Sequence, residues 1–344
     1  MSEALPAWAS VLPDADYQHS FGLKAGSAEK FFAPTERHAD LLAERRHWLR
    51  NDTGRCAALL PGAEPLLEEA VALAQQWGSL ADAPDLGTHA EHLDLLEKRQ
   101  RTGALQDAGA PPRPSLPRDS VLECASPLAL STADGPQHDA DANVKLPLPS
   151  TFARCLALGE AWEPDYVLLN PDAATGRFHL VGGCVCFPSS WRFEEKVGQP
   201  LEVIHTPVPH LNEQLASPMH NFLSRLKPGA AWCRANWGLS RSPELNQHPA
   251  RGLPKLTPPL RVDEVWLRVE DQALVALPAS RGVLFGIRMT VIPLSEVKRH
   301  PTAARGLARA LRTMPDAMLD YKSLLAAKDE LLRLLESCQR SANS

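Results

Sequence analysis

Residues 262–293 read VDEVWLRVEDQALVALPASRGVLFGIRMTVIP. Two runs rich in Val, Leu, Ile, Phe and Trp flank a turn at Pro278 to Gly282, which predicts strands over 262–277 and 282–293. Side chains alternate faces along a strand. In the first run one face carries Trp266, Arg268, Glu270, Gln272 and Leu274, and the other Leu267, Val269 and Ala273. A strand upstream, 231–239, groups Trp232, Arg234 and Asn236; the last strand groups Leu284, Gly286, Arg288 and Thr290. Read together, three consecutive strands each give an arginine to one surface, with Glu270, Gln272 and Asn236 beside them.

The common explanation of such a surface is the solvated side of an antiparallel sheet. Two features weigh against it. Trp232, Trp266, Leu274 and Leu284 are odd companions for solvent, and no lysine occurs among these positions. The opposite faces are apolar as well, which predicts a sheet covered on both sides. Buried arginine is costly unless paired, so the cluster asks for anionic partners beyond Glu270.

Working outward, strands are expected over 166–170 and 177–187, helices over 191–204 and 211–226, and two terminal helices over 302–313 and 315–340. The order ββ, helices, βββ is that of a PAS domain. The predicted fold class is therefore α+β: a PAS-like antiparallel sheet with N-terminal and C-terminal helical extensions. Residues 1–35 scatter Trp8, Tyr17, Phe21, Phe31 and Phe32 among Pro and Gly, as in a segment wrapped over a preformed surface. Helices are expected over 36–49 with Thr35 as N-cap, over 63–77 with Gly78 ending it, and over 88–101. The resulting division is an N-terminal helical region (1–101), a Pro-rich connector (102–150), the core (151–300) and C-terminal helices (301–344).

At 344 residues, 44% apolar and 22% charged, the chain can build a sizeable core. A net charge of −5 without a long basic run argues against nucleic acid. No apolar run is long enough to span a bilayer, and no cationic leader precedes one. Seven irregularly spaced cysteines argue for a reducing compartment, so a cytoplasmic location is expected.

Residues 184–210, CVCFPSSWRFEEKVGQPLEVIHTPVPH, deliver one histidine, His205, ahead of Pro207 and Pro209. Proline restricts itself and its predecessor, so Thr206 and Val208 are expected to be extended and the imidazole firmly presented. Such a histidine is more often a turn residue bonded to a carbonyl than a ligand. His205, His210 and Glu213 would make a two-histidine, one-carboxylate set for non-haem iron, but nothing in the sequence forces His210 and Glu213 to the side of His205. Cys186 offers a thiolate, although a buried strand cysteine is more often structural. His220 ranks second to His205. No dinucleotide, Walker or G-x-S-x-G motif is present.

The runs CFPSSW (Cys186 to Trp191), EKVG (Glu195 to Gly198), IHTPVP (Ile204 to Pro209), RANW (Arg234 to Trp237), LRVEDQALVALP, LFGIR and YK (Tyr321, Lys322) occur in this order. Together they resemble the haem-dependent oxidative N-demethylase α-subunit family, from about Tyr166 to Lys322. The resemblance implies haem b on a PAS-like scaffold, with His205 as axial iron ligand. Joined to the strand reading, it makes Arg234, Arg268, Arg288 and Trp237 the expected cofactor-binding residues and Glu270, the only acid within the three-arginine face, the expected catalytic residue, which either receives the amine proton or holds a neighbouring arginine in place. The implied reaction removes a methyl group from a small secondary amine such as dimethylamine, giving formaldehyde, with O2 and electrons from a flavin and iron–sulfur reductase subunit in a hetero-oligomer. A PAS-type haem sensor without turnover is the alternative, and a cofactor-free assembly subunit a lower one.

Overall fold

The computed structural model describes residues 6–18, 22–80 and 149–336. The expected helix over 88–101 and nearly all of the Pro-rich connector lie outside them. Seven antiparallel strands form one open sheet: β1 (Lys24–Gly26), β2 (Ala57–Leu59), β3 (Asp165–Pro171), β4 (Phe178–Cys184), β5 (Ala231–Ser240), β6 (Trp266–Ala276) and β7 (Val283–Pro293). Their spatial order is β1-β5-β6-β7-β3-β4-β2. The ββ, helices, βββ order expected for the core is the observed one, and the fold is α+β as read from the sequence.

The helices are α1 (Ala28–Phe32), α2 (His38–Asn51), α3 (Thr53–Cys56), α4 (Glu64–Gln76), α5 (Pro149–Ala161), α6 (Leu201–Ile204), α7 (Leu211–Ser224), α8 (Leu294–Arg299), α9 (Pro301–Thr313), α10 (Asp316–Tyr321) and α11 (Lys328–Glu336). In α4 the row Leu66, Leu67, Ala70, Val71 and Ala74 is buried, as its spacing predicts. Gly78 follows at φ 63, a left-handed position where glycine carries no Cβ penalty. Helix α2 buries Leu41, Leu42 and Leu49, and also Arg45, whose charge meets Asp165 at 2.5 Å.

Several sequence expectations change. Thr35 does not cap α2; its N–H and hydroxyl both donate to Glu163, at 2.5 and 3.0 Å. The expected helix over 191–204 contracts to α6. Gly198 lies at φ 84, and the chain before α6 instead hydrogen-bonds along β4, Gly198 N to Leu180 O and Leu180 N to Gln199 O. The single helix expected over 315–340 is broken after α10 by Ser323 at φ 56. The break leaves Lys322 at the α10 C-cap, against β5.

The sheet is covered on both sides, as expected. On one side, which we call the anchored face, Trp237, Leu239, Leu267, Val269 and Ile292 pack on Leu294, Val297, Leu307 and Leu311 of α8 and α9. Trp8 and Tyr17 pack against the same cluster, and Phe31 and Phe32 against the core beside it, so these N-terminal aromatics wrap the surface; Phe21 lies outside the described residues. Gly286 of β7, paired with Ala273, lies on this face, and a Cβ there would collide with the Phe31 and Phe32 rings of α1. On the other side, Val167, Leu169, Phe178, Leu180 and Phe193 form a cluster with Leu201, Ile204, Met219 and Phe222. Segment 191–226 thus covers part of the second face. Each buried Leu or Phe contributes about 1.5–3 kcal/mol to holding these layers.

Candidate functional site

The pairing register decides which arginines meet. Antiparallel partners point to the same side, and β5 pairs with β6 as Arg234↔Gln272, Asn236↔Glu270 and Trp232↔Leu274. These residues share the face covered by 191–226, here called the polar face, as the sequence alternation predicts. Strand β7, however, pairs as Glu270↔Met289 and Asp271↔Arg288. Arg288 therefore lies on the anchored face, and the reading of three arginines on one surface is corrected. Alternation within a strand fixes relative sides only; which side belongs to which face is set by the register.

Arg288 there bonds Glu163, the carbonyls of Phe31 and, at 2.9 Å, Ala33. Glu163 also accepts from Thr35 and meets His38 Nδ1 at 2.9 Å. Arg268 is on the polar face but only 3% exposed. Its guanidinium donates to Glu244 O at 2.7 Å, Leu245 O at 2.9 Å and, more weakly, Ser189 Oγ. Burial lowers its pKa to about 10. Both arginines fasten loops to the sheet. Trp237 points to the anchored face, with Lys322 Nζ 5.5 Å from its ring centroid.

Around the β5–β6 row the polar face is more open than the apolar residues directly behind it. Trp232, Arg234, Asn236, Glu270, Gln272, Leu274, Phe285 and Ile287 are all half-buried, whereas Leu267, Val269, Ala273, Val275 and Leu284 opposite are buried. Phe222 of α7 meets Trp232 edge-on, ring centroids 5.4 Å apart. Glu270 Oε2 accepts from Gln272 Nε2 at 3.0 Å. Lys322 Nζ donates to Trp237 O at 2.7 Å and Asn236 Oδ1 at 3.3 Å.

His205 is placed against this row. It caps α6, and its N–H donates to Leu201 O. Hydrogen-bonded turns, Thr206 N to Val203 O and Val208 N to His205 O, fix the loop, in place of the extended residues expected around the prolines. Its Nδ1 is buried without a hydrogen-bond partner, so the usual carbonyl-bonded turn histidine is not what is found. Burial, and then the nearby Arg234 guanidinium, push its pKa down to about 4. The ring is neutral at neutral pH, the state that ligates metals. Arg234 Nε is likewise buried and unpartnered.

The other candidates separate from this place. His210 pairs with Glu213 at 3.0 Å on an exposed surface. Among the described residues no group of three His, Cys, Asp or Glu side chains forms a metal site. Cys186 is fully buried beside Arg45 and Asp165, a structural position. A Cβ at Gly176 would meet the His220 ring at 3.5 Å, which puts His220 against the β3–β4 turn.

Sequence reasoning left Lys322, Tyr17 and Tyr321 without a role. Lys322 borders the row through its bond to Asn236 Oδ1, with Tyr321 next to it in the chain; burial, and then the charge of Glu270, raise the Tyr321 pKa, and burial raises that of Tyr17 against the opposing charge of Arg234. Their one sequence signal was the YK pair. The family model described as haem-dependent oxidative N-demethylase, alpha subunit-like matches residues 139–332.

Proposed function

We propose, from the premise that the chain belongs to the haem-dependent oxidative N-demethylase alpha subunit-like family, that it binds haem b on the polar face and demethylates a small secondary amine such as dimethylamine. The observation that carries this reading is the buried, unpartnered Nδ1 of a neutral His205 beside the buried, unpartnered Nε of Arg234. A haem asks for an imidazole nitrogen for the iron and a cation for a carboxylate, and the residues present fit both needs. The PAS-like scaffold has its support in the strand order. In this reading bound haem supplies the oxygen and electron chemistry.

The chain's own residues do the rest. The His205 loop holds the imidazole. Phe222, Trp232, Leu274 and Phe285 exclude water along an apolar wall. A small alkylammonium entering such a wall loses hydration worth several kcal/mol unless an acceptor meets it. Glu270 is the acid of the β5–β6 row on this face and orients the amine. Membership of an alpha-subunit family supports a hetero-oligomer; the proposed electron donor is a flavin and iron–sulfur subunit, and the proposed location is the cytoplasm. Among the described residues no helix is long and apolar enough to cross a membrane.

Haem titration into the apoprotein, followed by its Soret band, is the test. Wild type is expected to bind, His205→Ala to lose most of the band, and Glu270→Gln to keep the band while losing formaldehyde release from dimethylamine. An unchanged band in His205→Ala overturns the ligand assignment. Haem binding without formaldehyde, given a competent electron donor, favours a sensor.

A further inference from the structure

A haem carries two carboxylates, and the three arginines read from the sequence seemed ample for them. The structure leaves one. Arg268 is engaged by Glu244 O and Leu245 O, and Arg288 by Glu163 on the opposite face. Arg234 remains, its Nε buried and unpartnered.

A second cation reaches the edge of β5, two residues along from Arg234, out of a distant part of the chain. The break after α10 turns Lys322 onto β5, where Nζ is fixed by Trp237 O and Asn236 Oδ1 and by the Trp237 ring. All of these partners are neutral. Among the described residues no carboxylate lies within ion-pair distance of Lys322; Glu270 attracts it only from farther away, and Arg234 repels it. We propose that Lys322 and Arg234 form a two-cation cradle for a pair of carboxylates, those of the bound haem, with Glu270 as counter-charge. This rests on the haem reading of the face.

Three observations support it. Two cations face one acid across Asn236 and Gln272, so the row carries an excess positive charge suited to an anion. Both cations are held back from water: burial lowers Arg234, and brings Lys322 to about 8, so each gains from an anionic partner. Lys322 is also immobilised before any ligand arrives, so little side-chain entropy remains to be lost on binding.

The test compares haem with its dimethyl ester, which keeps the iron and ring but lacks the free carboxylates. Affinities come from spectral titration of wild type, Lys322→Gln, Lys322→Arg and Arg234→Met. The Gln side chain keeps a donor for Asn236 and Trp237 O while removing the charge. Wild type is expected to prefer haem to the ester by more than about tenfold, as charge-assisted hydrogen bonds imply. Lys322→Gln should lose roughly tenfold in haem affinity with ester affinity unchanged, and Lys322→Arg should restore it. Equal loss for haem and ester in Lys322→Gln would reveal a structural lysine and overturn the cradle, as would no loss for either. Failure of wild type to bind either porphyrin overturns the haem reading and the cradle with it.

Discussion

Arg234 and Arg288 sit on strands separated only by β6, yet they live in different electrostatic worlds. On the anchored face Arg288 meets a buried carboxylate and two carbonyls, and that carboxylate is itself filled by Thr35 and His38. On the polar face Arg234 has an orphaned Nε, and Lys322, at the edge of β5 between Asn236 and the Trp237 ring, has only neutral partners. The first arrangement is complete without a ligand and serves the fold. The second leaves Arg234 Nε without a protein partner, which is the difference the proposed carboxylate site rests on.

The largest effect tests the completeness of the anchored side. Glu163→Leu strands the Arg288 guanidinium and should cost about 3–5 kcal/mol in denaturant unfolding. The preference for haem over its ester should survive in the folded fraction. A loss below about 1 kcal/mol would mean that the network is not a fold anchor. Arg268→Met comes next: Glu244 O and Leu245 O lose their donor, for a loss of about 1–3 kcal/mol, again with the haem-to-ester ratio unchanged. A collapsed ratio would return Arg268 to the carboxylate site.

Smaller still is a pH signature on the polar side. The folded pKa of Lys322 is lowered from 10.5 to about 8, chiefly by burial. Between those values the unfolded chain binds a proton that the folded chain does not, so stability rises with pH across that window. At neutral pH the buried charge costs stability instead. Lys322→Gln should flatten this rise, whose slope stays below about 1.4 kcal/mol per pH unit. Identical slopes for the two proteins would show that Lys322 stays solvated. The smallest effect belongs to Arg305→Leu, whose partner Asp14 is on the surface at 3.3 Å; a change within about 0.5 kcal/mol is expected, with no change in the haem-to-ester ratio.

Much of the fold was legible because it rests on local signals. Alternating Val, Leu and Trp marked β6, the apolar row of α4 marked a helix, and the strand order followed. What misled were local signals overruled at longer range. The amphipathic look of 191–204 yielded to hydrogen bonds with β4, and a leucine-rich C-terminus hid the break at Ser323. For the site, His205 could be named because prolines and family motifs converge on it.

The sequence by itself determined the strand-and-helix order, the family, and two within-strand sets, Arg234 with Asn236 and Glu270 with Gln272, since alternation with period two needs no partner to be read; the register of β5 on β6 made them one row. Only the tertiary structure decided that Arg288 faces away, that Arg268 fastens a loop, and that Lys322 docks on Asn236 and Trp237 of β5. Register between strands and the docking of a terminal helix depend on contacts hundreds of residues apart in some cases, such as Arg288 with the carbonyls before α2. No local pattern encodes a contact whose other half lies at the far end of the chain.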